Sequence, residues 1–118
     1  MIIKRTDIGP QLSRMVEYRD MVYLCGVTAD DKSAPAKRQT EQILAKIDKL
    51  LLQAGTDKTK LLTAVIYLAD IRECEMVFES WKNWVDPQNP PARATVQATL
   101  ATPDTRVEIM VTACKREG

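Results

Sequence analysis

The sequence predicts an α+β fold in which two helices cover one face of a mostly antiparallel sheet. Two stretches have apolar residues at helical spacing, and several short stretches alternate apolar and polar residues. These elements follow one another as strand, strand, helix, strand, helix, strand, strand, which is typical of that layered class. With 118 residues, 45% of them apolar, residues 1–118 are expected to form a single domain with an ordinary core.

The first half of the chain contains a predicted hairpin and a predicted helix. Residues 12–18 and 21–26 are two short strands, and Arg19-Asp20 forms the tight turn between them although the usual glycine is missing. The apolar side chains of residues 35–54 then recur at helical spacing, and Gly55 marks the end of that helix.

The next two elements are a strand and a second helix. Residues 60–68 are largely apolar and partly β-branched, which favours a strand buried on both faces, although periodicity alone does not exclude a helix. Asp70 and Glu73 have the spacing of a capping box before an amphipathic helix that ends near Asp86. Three prolines after that helix hold the following segment extended.

The last two strands, residues 93–100 and 106–114, are predicted to pair as a hairpin. Opposed residues of an antiparallel pair point to the same side, so only some registers keep one apolar face whole. Those registers place Arg93 and Glu108 on the other face, about 13 Å apart along the sheet. That face is either the solvated side of an antiparallel sheet or a subunit interface or anion site. Its polar members are Arg93, Thr95, Gln97, Glu108 and Thr112.

Composition excludes several classes of chemistry. The 17 basic and 16 acidic residues include no run of five like charges, so nothing marks a nucleic-acid surface. The absence of histidine removes Ser-His-Asp and Cys-His catalysis and histidine metal sites. The three widely spaced cysteines indicate neither a disulfide framework nor a zinc site. No apolar run is long enough for a bilayer or a signal peptide, so we expect a cytoplasmic protein without membrane contact.

Three segments carry a family resemblance. They are residues 9–26 (G-P-Q-L-S-R-M-V-E-Y-R-D-M-V-Y-L-C-G), residues 89–100 (N-P-P-A-R-A-T-V-Q-A-T-L) and residues 106–113 (R-V-E-I-M-V-T-A). The most specific part is P-A-R-x-x-V followed by V-E-I, whose glutamate lies fifteen residues after the arginine. In these segments, and in its length and element order, the chain resembles the RidA/YjgF family of reactive-intermediate deaminases.

The resemblance implies a fold, an assembly and a reaction. The fold is similar to the chorismate-mutase-like domain, assembled as a homotrimer whose sheets face inward and whose clefts lie between subunits. Family members hydrolyse reactive enamine and imine intermediates, the 2-imino acids, to a 2-oxo acid and ammonia. The implied partner is a small carboxylate substrate, and neither a metal nor a bound cofactor is required.

The resemblance also assigns two residues to catalysis. Arg93 matches the family arginine, whose planar guanidinium can hold a substrate carboxylate through two parallel charge-assisted hydrogen bonds. Glu108 matches the family glutamate, which can hold or polarise a water for attack on the imine carbon. Alternatively, Arg93 forms a surface ion pair and Glu108 is a surface or interface carboxylate.

Four further positions are implied to bind the substrate. Leu12 and Cys25 stand where the best-known active members have a tyrosine and a serine, and Thr95 stands where a cysteine is usual. Cys25 is either a thiol in the pocket or a buried strand cysteine. Gly26 either allows a substrate to approach the backbone or marks a bulge.

Three functions are therefore carried forward. The first is hydrolytic deamination of enamines and imines at a cleft between subunits. The second is a non-catalytic trimer that binds small carboxylates or 2-oxo acids, favoured by the missing tyrosine and serine hydroxyls at Leu12 and Cys25. The third is ribonuclease or translation-inhibitor activity, which receives little physical support from a neutral chain without a basic stripe. No nucleic-acid partner is expected.

Overall fold

A computed structural model describes residues 2–115. It contains a six-stranded sheet, two α-helices and two short 3-10 turns at Lys58–Lys60 and Ile71–Glu73. In chain order the main elements are β1 (Lys4–Ile8), β2 (Ser13–Tyr18), β3 (Met21–Leu24), α1 (Ala36–Gln53), β4 (Leu61–Leu68), α2 (Cys74–Trp84), β5 (Ala92–Gln97) and β6 (Val107–Cys114). The predicted α+β class, with both helices on one side of the sheet, is confirmed.

The predicted N-terminal hairpin is confirmed, and a further strand pairs with it. β2 pairs antiparallel with β3. Arg19 in the turn adopts a positive φ of 57°, a conformation that has a lower steric energy in glycine because glycine has no Cβ. β1, which was not predicted, pairs antiparallel with β2 at the edge of the sheet. Its side chains are almost all exposed, so it lacks the apolar alternation that identifies a half-buried strand.

The predicted C-terminal hairpin is wrong. The sheet order is β1-β2-β3-β6-β4-β5, so β6 lies between β3 and β4 and is antiparallel to both. β5 instead pairs in parallel with β4, because α2 carries the chain back to the same end of the sheet. The central position buries one whole side of β6, whereas β5 is an edge strand that follows Pro90 and Pro91.

This topology separates the residues that the hairpin placed together. Arg93 pairs with Ala64 and Thr95 pairs with Ile66, and both of these partners are buried under the helices. Arg93 and Thr95 therefore point to the helical side of the sheet. Gln97 also lies on that side, since it pairs with buried Leu68 and its Oε1 accepts a hydrogen bond from the N–H of Ile71.

The side of the sheet away from the helices, the open face, carries Glu108 and Thr112, as predicted. It also exposes large apolar side chains: Tyr23 is 44% exposed, Val96 41% and Met110 43%. Between Thr63 and Thr112 the two hydroxyl oxygens lie 2.6 Å apart on this face.

The two helices pack their apolar faces on the sheet. α1 buries Ile43, Ile47 and Leu51 completely, and α2 contributes Val77 and Trp81 to the same core. Within residues 2–115, no helix has the length and apolar character needed to span a membrane.

The capping box does not form as predicted. The Asp70 carboxylate accepts a hydrogen bond from the N–H of Arg72 and caps the 3-10 turn that precedes α2. Glu73 does not return to the backbone, because its carboxylate pairs with the guanidinium of Arg106 across the loop.

Candidate active site

A cleft of about 350 Å³ opens where β2 begins, β3 ends and the loop before α1 begins. Three of the predicted binding residues, Leu12, Cys25 and Gly26, line it. The remaining lining residues are Arg14, Val27, Thr28, Ala29, Asp30, Lys32 and Lys46. The structure therefore brings together the N-terminal part of the predicted site and adds a set of charged side chains that sequence analysis missed.

Glu108 lies against Gly26, which lines the cleft, and is itself beside the cleft and not part of its lining. A Cβ on Gly26 would lie 2.9 Å from Cδ of Glu108 and closer still to its Oε2. The group that approaches Gly26 closely within the chain is the Glu108 side chain, and approach of a substrate to this backbone stays a prediction. Among residues 2–115, no side chain forms an ion pair or hydrogen bond with the Glu108 carboxylate, so its oxygens remain available to a water or a substrate.

The Cys25 thiol faces the same environment. Burial raises the pKa of Cys25, and the negative charge of Glu108 acts in the same direction. The positive charges of Arg14 and Lys46 and a backbone hydrogen bond oppose this shift without cancelling it. Cys25 is therefore a neutral thiol near pH 7, which makes it a small, weakly polar wall of the cleft and not an activated nucleophile.

Arg93 and Thr95 belong to a different region. The Arg93 guanidinium carbon lies 4.4 Å from the centre of the Phe78 ring and 5.9 Å from that of Trp81, both on α2. This stacking covers one flat side of the guanidinium and leaves its N–H edge free, since no carboxylate in the described part of the chain pairs with Arg93. The Thr95 hydroxyl oxygen is buried and has no hydrogen-bond partner among the same residues.

The two regions do not meet within one chain. Glu108 pairs with Tyr67, and Tyr67 pairs with Val96, three residues along β5 from Arg93. Two strand spacings and three residues place the Cα atoms of Arg93 and Glu108 roughly 14 Å apart. Their side chains also point to opposite faces of the sheet, so the prediction that they share a face is wrong. The predicted site is divided into a cleft half (Leu12, Cys25, Gly26 and Glu108) and an arginine half (Arg93 and Thr95).

No pattern in the sequence predicted that the charged residues of the cleft belong to a site. Lys46 projects from α1, where its Nζ donates to the carbonyl of Thr28 at 2.8 Å and to Asp30 Oδ1 at 2.9 Å. Lys32 donates to the Thr28 hydroxyl at 3.2 Å and to the Ala29 carbonyl. Isolated cations of this kind look like ordinary surface residues until the loop that contains residues 25–32 packs against β6 and α1.

Comparisons with known proteins match almost the whole chain. The family model described as Endoribonuclease L-PSP matches residues 4–115. A RutC family protein of Haemophilus ducreyi is 38% identical over 112 residues, covering 95% of this chain and 96% of that protein. The 2-iminobutanoate/2-iminopropanoate deaminase of Homo sapiens is 30% identical over 112 residues, covering 90% of this chain and 80% of that protein.

A solved structure is similar to this chain in both fold and sequence. The crystal structure of a YjgF family member from Neisseria meningitidis has a TM-score of 0.95 and 38% sequence identity, and the match covers 100% of this chain and 98% of that one.

Proposed function

Because the chain belongs to the endoribonuclease L-PSP family, which is the RidA/YjgF family, we propose that it hydrolyses 2-imino acids and their enamine tautomers to 2-oxo acids and ammonia. Membership of this family, predicted from the sequence, is confirmed. The observation that carries the proposal is the unpaired Glu108 carboxylate, which lies against Gly26 at a cleft large enough for a small metabolite. A relative named as an imine deaminase, at 30% identity, supports the same reaction.

The reaction requires a carboxylate clamp and a group that moves protons. Arg93 presents the free edge of its guanidinium to the carboxylate of the imino acid. Glu108 removes a proton from water as the water oxygen attacks the imine carbon, and the C=N double bond becomes a C–N single bond. Glu108 then returns the proton to the nitrogen, which gives a carbinolamine. Glu108 next removes the proton of the new hydroxyl and passes it to the nitrogen, so the C–N bond breaks and ammonia leaves as the C=O bond forms. The neutral Cys25 thiol takes no proton in this scheme.

The division of the site leads to the second part of the proposal, a homotrimer. The open face exposes Tyr23, Val96 and Met110, and a group of exposed apolar side chains on one surface is typical of a protein–protein contact. If the open faces of three chains meet, edge strand β5 of one chain can bring Arg93 to the cleft of its neighbour. We propose that each active site combines the arginine half of one subunit with the cleft half of the next.

Activity is tested directly with an imino acid generated in place by an amino-acid oxidase. We expect the native protein to accelerate release of ammonia and 2-oxo acid, and Arg93→Ala and Glu108→Gln to lose most of this acceleration. Arg38→Ala is the matched control, since Arg38 is an exposed arginine on α1 whose one ion pair among residues 2–115 is with Glu41 on the same helix. Activity of Arg93→Ala equal to that of Arg38→Ala would refute the role of the clamp.

Mixing two inactive variants tests whether the site is shared. In trimers assembled from equal amounts of Arg93→Ala and Glu108→Gln chains after denaturation and refolding, about one quarter of the sites would contain both native residues. Recovery of about that share of native activity is expected. If the two residues acted within one chain, every site would lack one of them and the mixture would remain inactive.

The assembly itself is tested on the open face. Met110→Glu places a charge where the three sheets would meet and is expected to give monomers in light scattering. Leu52→Glu is the control, since Leu52 is 76% exposed on α1, away from the open face. A monomeric native protein would contradict the proposal.

A second function, binding of small carboxylates or 2-oxo acids without turnover, is favoured by the cleft wall. Leu12 is 57% exposed there and Cys25 is a neutral thiol, so neither side chain positions a water as a tyrosine or serine hydroxyl would. Saturable binding of a 2-oxo acid, combined with imine decay at the buffer rate, would make this function the correct one.

A further inference from the structure

The cleft has an unbalanced positive charge. Three of the described lining residues are cations, Arg14, Lys32 and Lys46, against two carboxylates, Asp30 in the lining and Glu108 beside Gly26. Lys46 is neutralised by Asp30, and both lysines are also held by backbone carbonyls of the loop. The guanidinium of Arg14 has no hydrogen bond or ion pair with any group in residues 2–115. A guanidinium that forms no direct contact with a carboxylate in residues 2–115, although its charge also acts on Asp30, therefore lies at the wall of the cleft beside Leu12 and Cys25.

Arg14 lies in a different part of the sheet from Arg93, the arginine of the proposed clamp. Arg14 is on β2, and its carbonyl accepts a hydrogen bond from the N–H of Cys25, so it is anchored beside the cleft half. The positive charge of Arg14 acts to lower the pKa of the Cys25 thiol. Arg93 is on β5 at the opposite edge of the sheet and would approach from another subunit. A substrate between the two would meet one guanidinium at each end.

We propose that Arg14 binds a second acid group of the substrate, so that the cleft selects 2-imino acids that carry a side-chain carboxylate. This inference rests on the proposed function and specifies its substrate class. A carboxylate fits the planar fork of a guanidinium through two parallel hydrogen bonds, whereas a methyl or ethyl side chain leaves Arg14 without a partner. The remaining cations, Lys32 and Lys46, favour the same negative charge.

The test compares two imino acids generated in place, one from aspartate and one from alanine, with native protein and Arg14→Gln. We expect the native protein to have a kcat/KM at least about tenfold higher for the imine of aspartate. Arg14→Gln is expected to lose about tenfold on that imine and less than twofold on the imine of alanine. Arg14→Lys, which retains the charge without the fork, is expected to lie between them. Arg14 is exposed, so folding of each variant is checked by thermal melting and little change is expected.

Two kinetic results would overturn the inference. One is equal preference of the native protein for both imines, and the other is an equal loss on both imines in Arg14→Gln. Arg38→Gln serves as the control for a general loss of positive charge.

Direct binding separates failure of this inference from failure of the proposed function. If no imine is turned over, the deaminase proposal is wrong, and calorimetry with oxaloacetate and 2-oxobutanoate still decides the role of Arg14. Tighter binding of oxaloacetate by the native protein, lost in Arg14→Gln, supports an acid-binding subsite. Equal binding of both 2-oxo acids, or binding that is indifferent to Arg14→Gln, refutes it.

Discussion

Substitution of Gly26 by alanine is the most discriminating perturbation of this site. Gly26 does not have a positive φ, so its backbone conformation is accessible to alanine. The new Cβ, however, would lie 2.9 Å from Cδ of Glu108, whereas an ordinary contact begins at 3.4 Å. Relief of this overlap requires the nearer carboxylate oxygen, Oε2, to move by about 1 Å or more.

The expected effect is large on catalysis and small on stability. A misplacement of about 1 Å in a catalytic group lowers the rate by roughly 10²-fold, which corresponds to about 2.7 kcal/mol in transition-state stabilisation. The displaced atoms are the end of a flexible side chain, and alanine lowers the entropy of the unfolded chain. The free energy of unfolding is therefore expected to change by less than about 1 kcal/mol.

The assay measures kcat/KM for imine hydrolysis together with the melting temperature. Gly9→Ala is the matched control, since a Cβ there would have its nearest neighbour, the Leu12 carbonyl oxygen, at an ordinary 3.5 Å. In a Glu108→Gln background, Gly26→Ala is expected to lower the remaining activity by less than about threefold, because the group it displaces no longer acts. Native activity in Gly26→Ala, or additive losses in the double variant, would refute the argument that Gly26 exists to seat Glu108.

Three further predictions follow from other contacts. Phe78→Leu removes the ring face under the Arg93 guanidinium and is expected to raise KM by about 2- to 5-fold with little change in kcat. Phe78→Tyr keeps the ring and is expected to retain the native KM. A fall in kcat of Phe78→Leu as large as its rise in KM would contradict this role of the ring. Burial raises the pKa of Cys25 above 9.0, so alkylation by iodoacetamide, followed by mass spectrometry, is expected to have its midpoint above that pH. Because the native state then binds the thiol proton more tightly than the unfolded state, this group contributes stability that is lost as the pH rises past 9.0. Hydrogen bonds from Arg72 lower the pKa of Asp70 to about 2, so the contribution of Asp70 to stability is present above about pH 4 and lost as the pH falls through 2. In Arg72→Gln the Asp70 pKa, measured by NMR titration, is expected to return towards 3.8, and an unchanged pKa would refute this cause.

Local patterns in the sequence were sufficient for both helices and for the first hairpin. The spacing of apolar residues along α1 and α2 and the short connection between β2 and β3 involve only residues that are close in the chain. The family motif also predicted residues that lie in both halves of the candidate site, and the cleft places Leu12, Cys25 and Gly26 together. Contacts of the guanidinium with Phe78 were not foreseen, since they require β5 to lie beside β4 under α2.

The sequence by itself determined the class of fold, the family and the identity of the motif residues Arg93 and Glu108. Tertiary structure alone decided that β5 and β6 are not partners and that these two residues point to opposite faces. Alternation of apolar and polar residues shows that a strand has two unlike faces, but it carries no information on which neighbour receives its backbone hydrogen bonds. That choice is made by the burial of β6 between two strands distant in sequence, which no local pattern records.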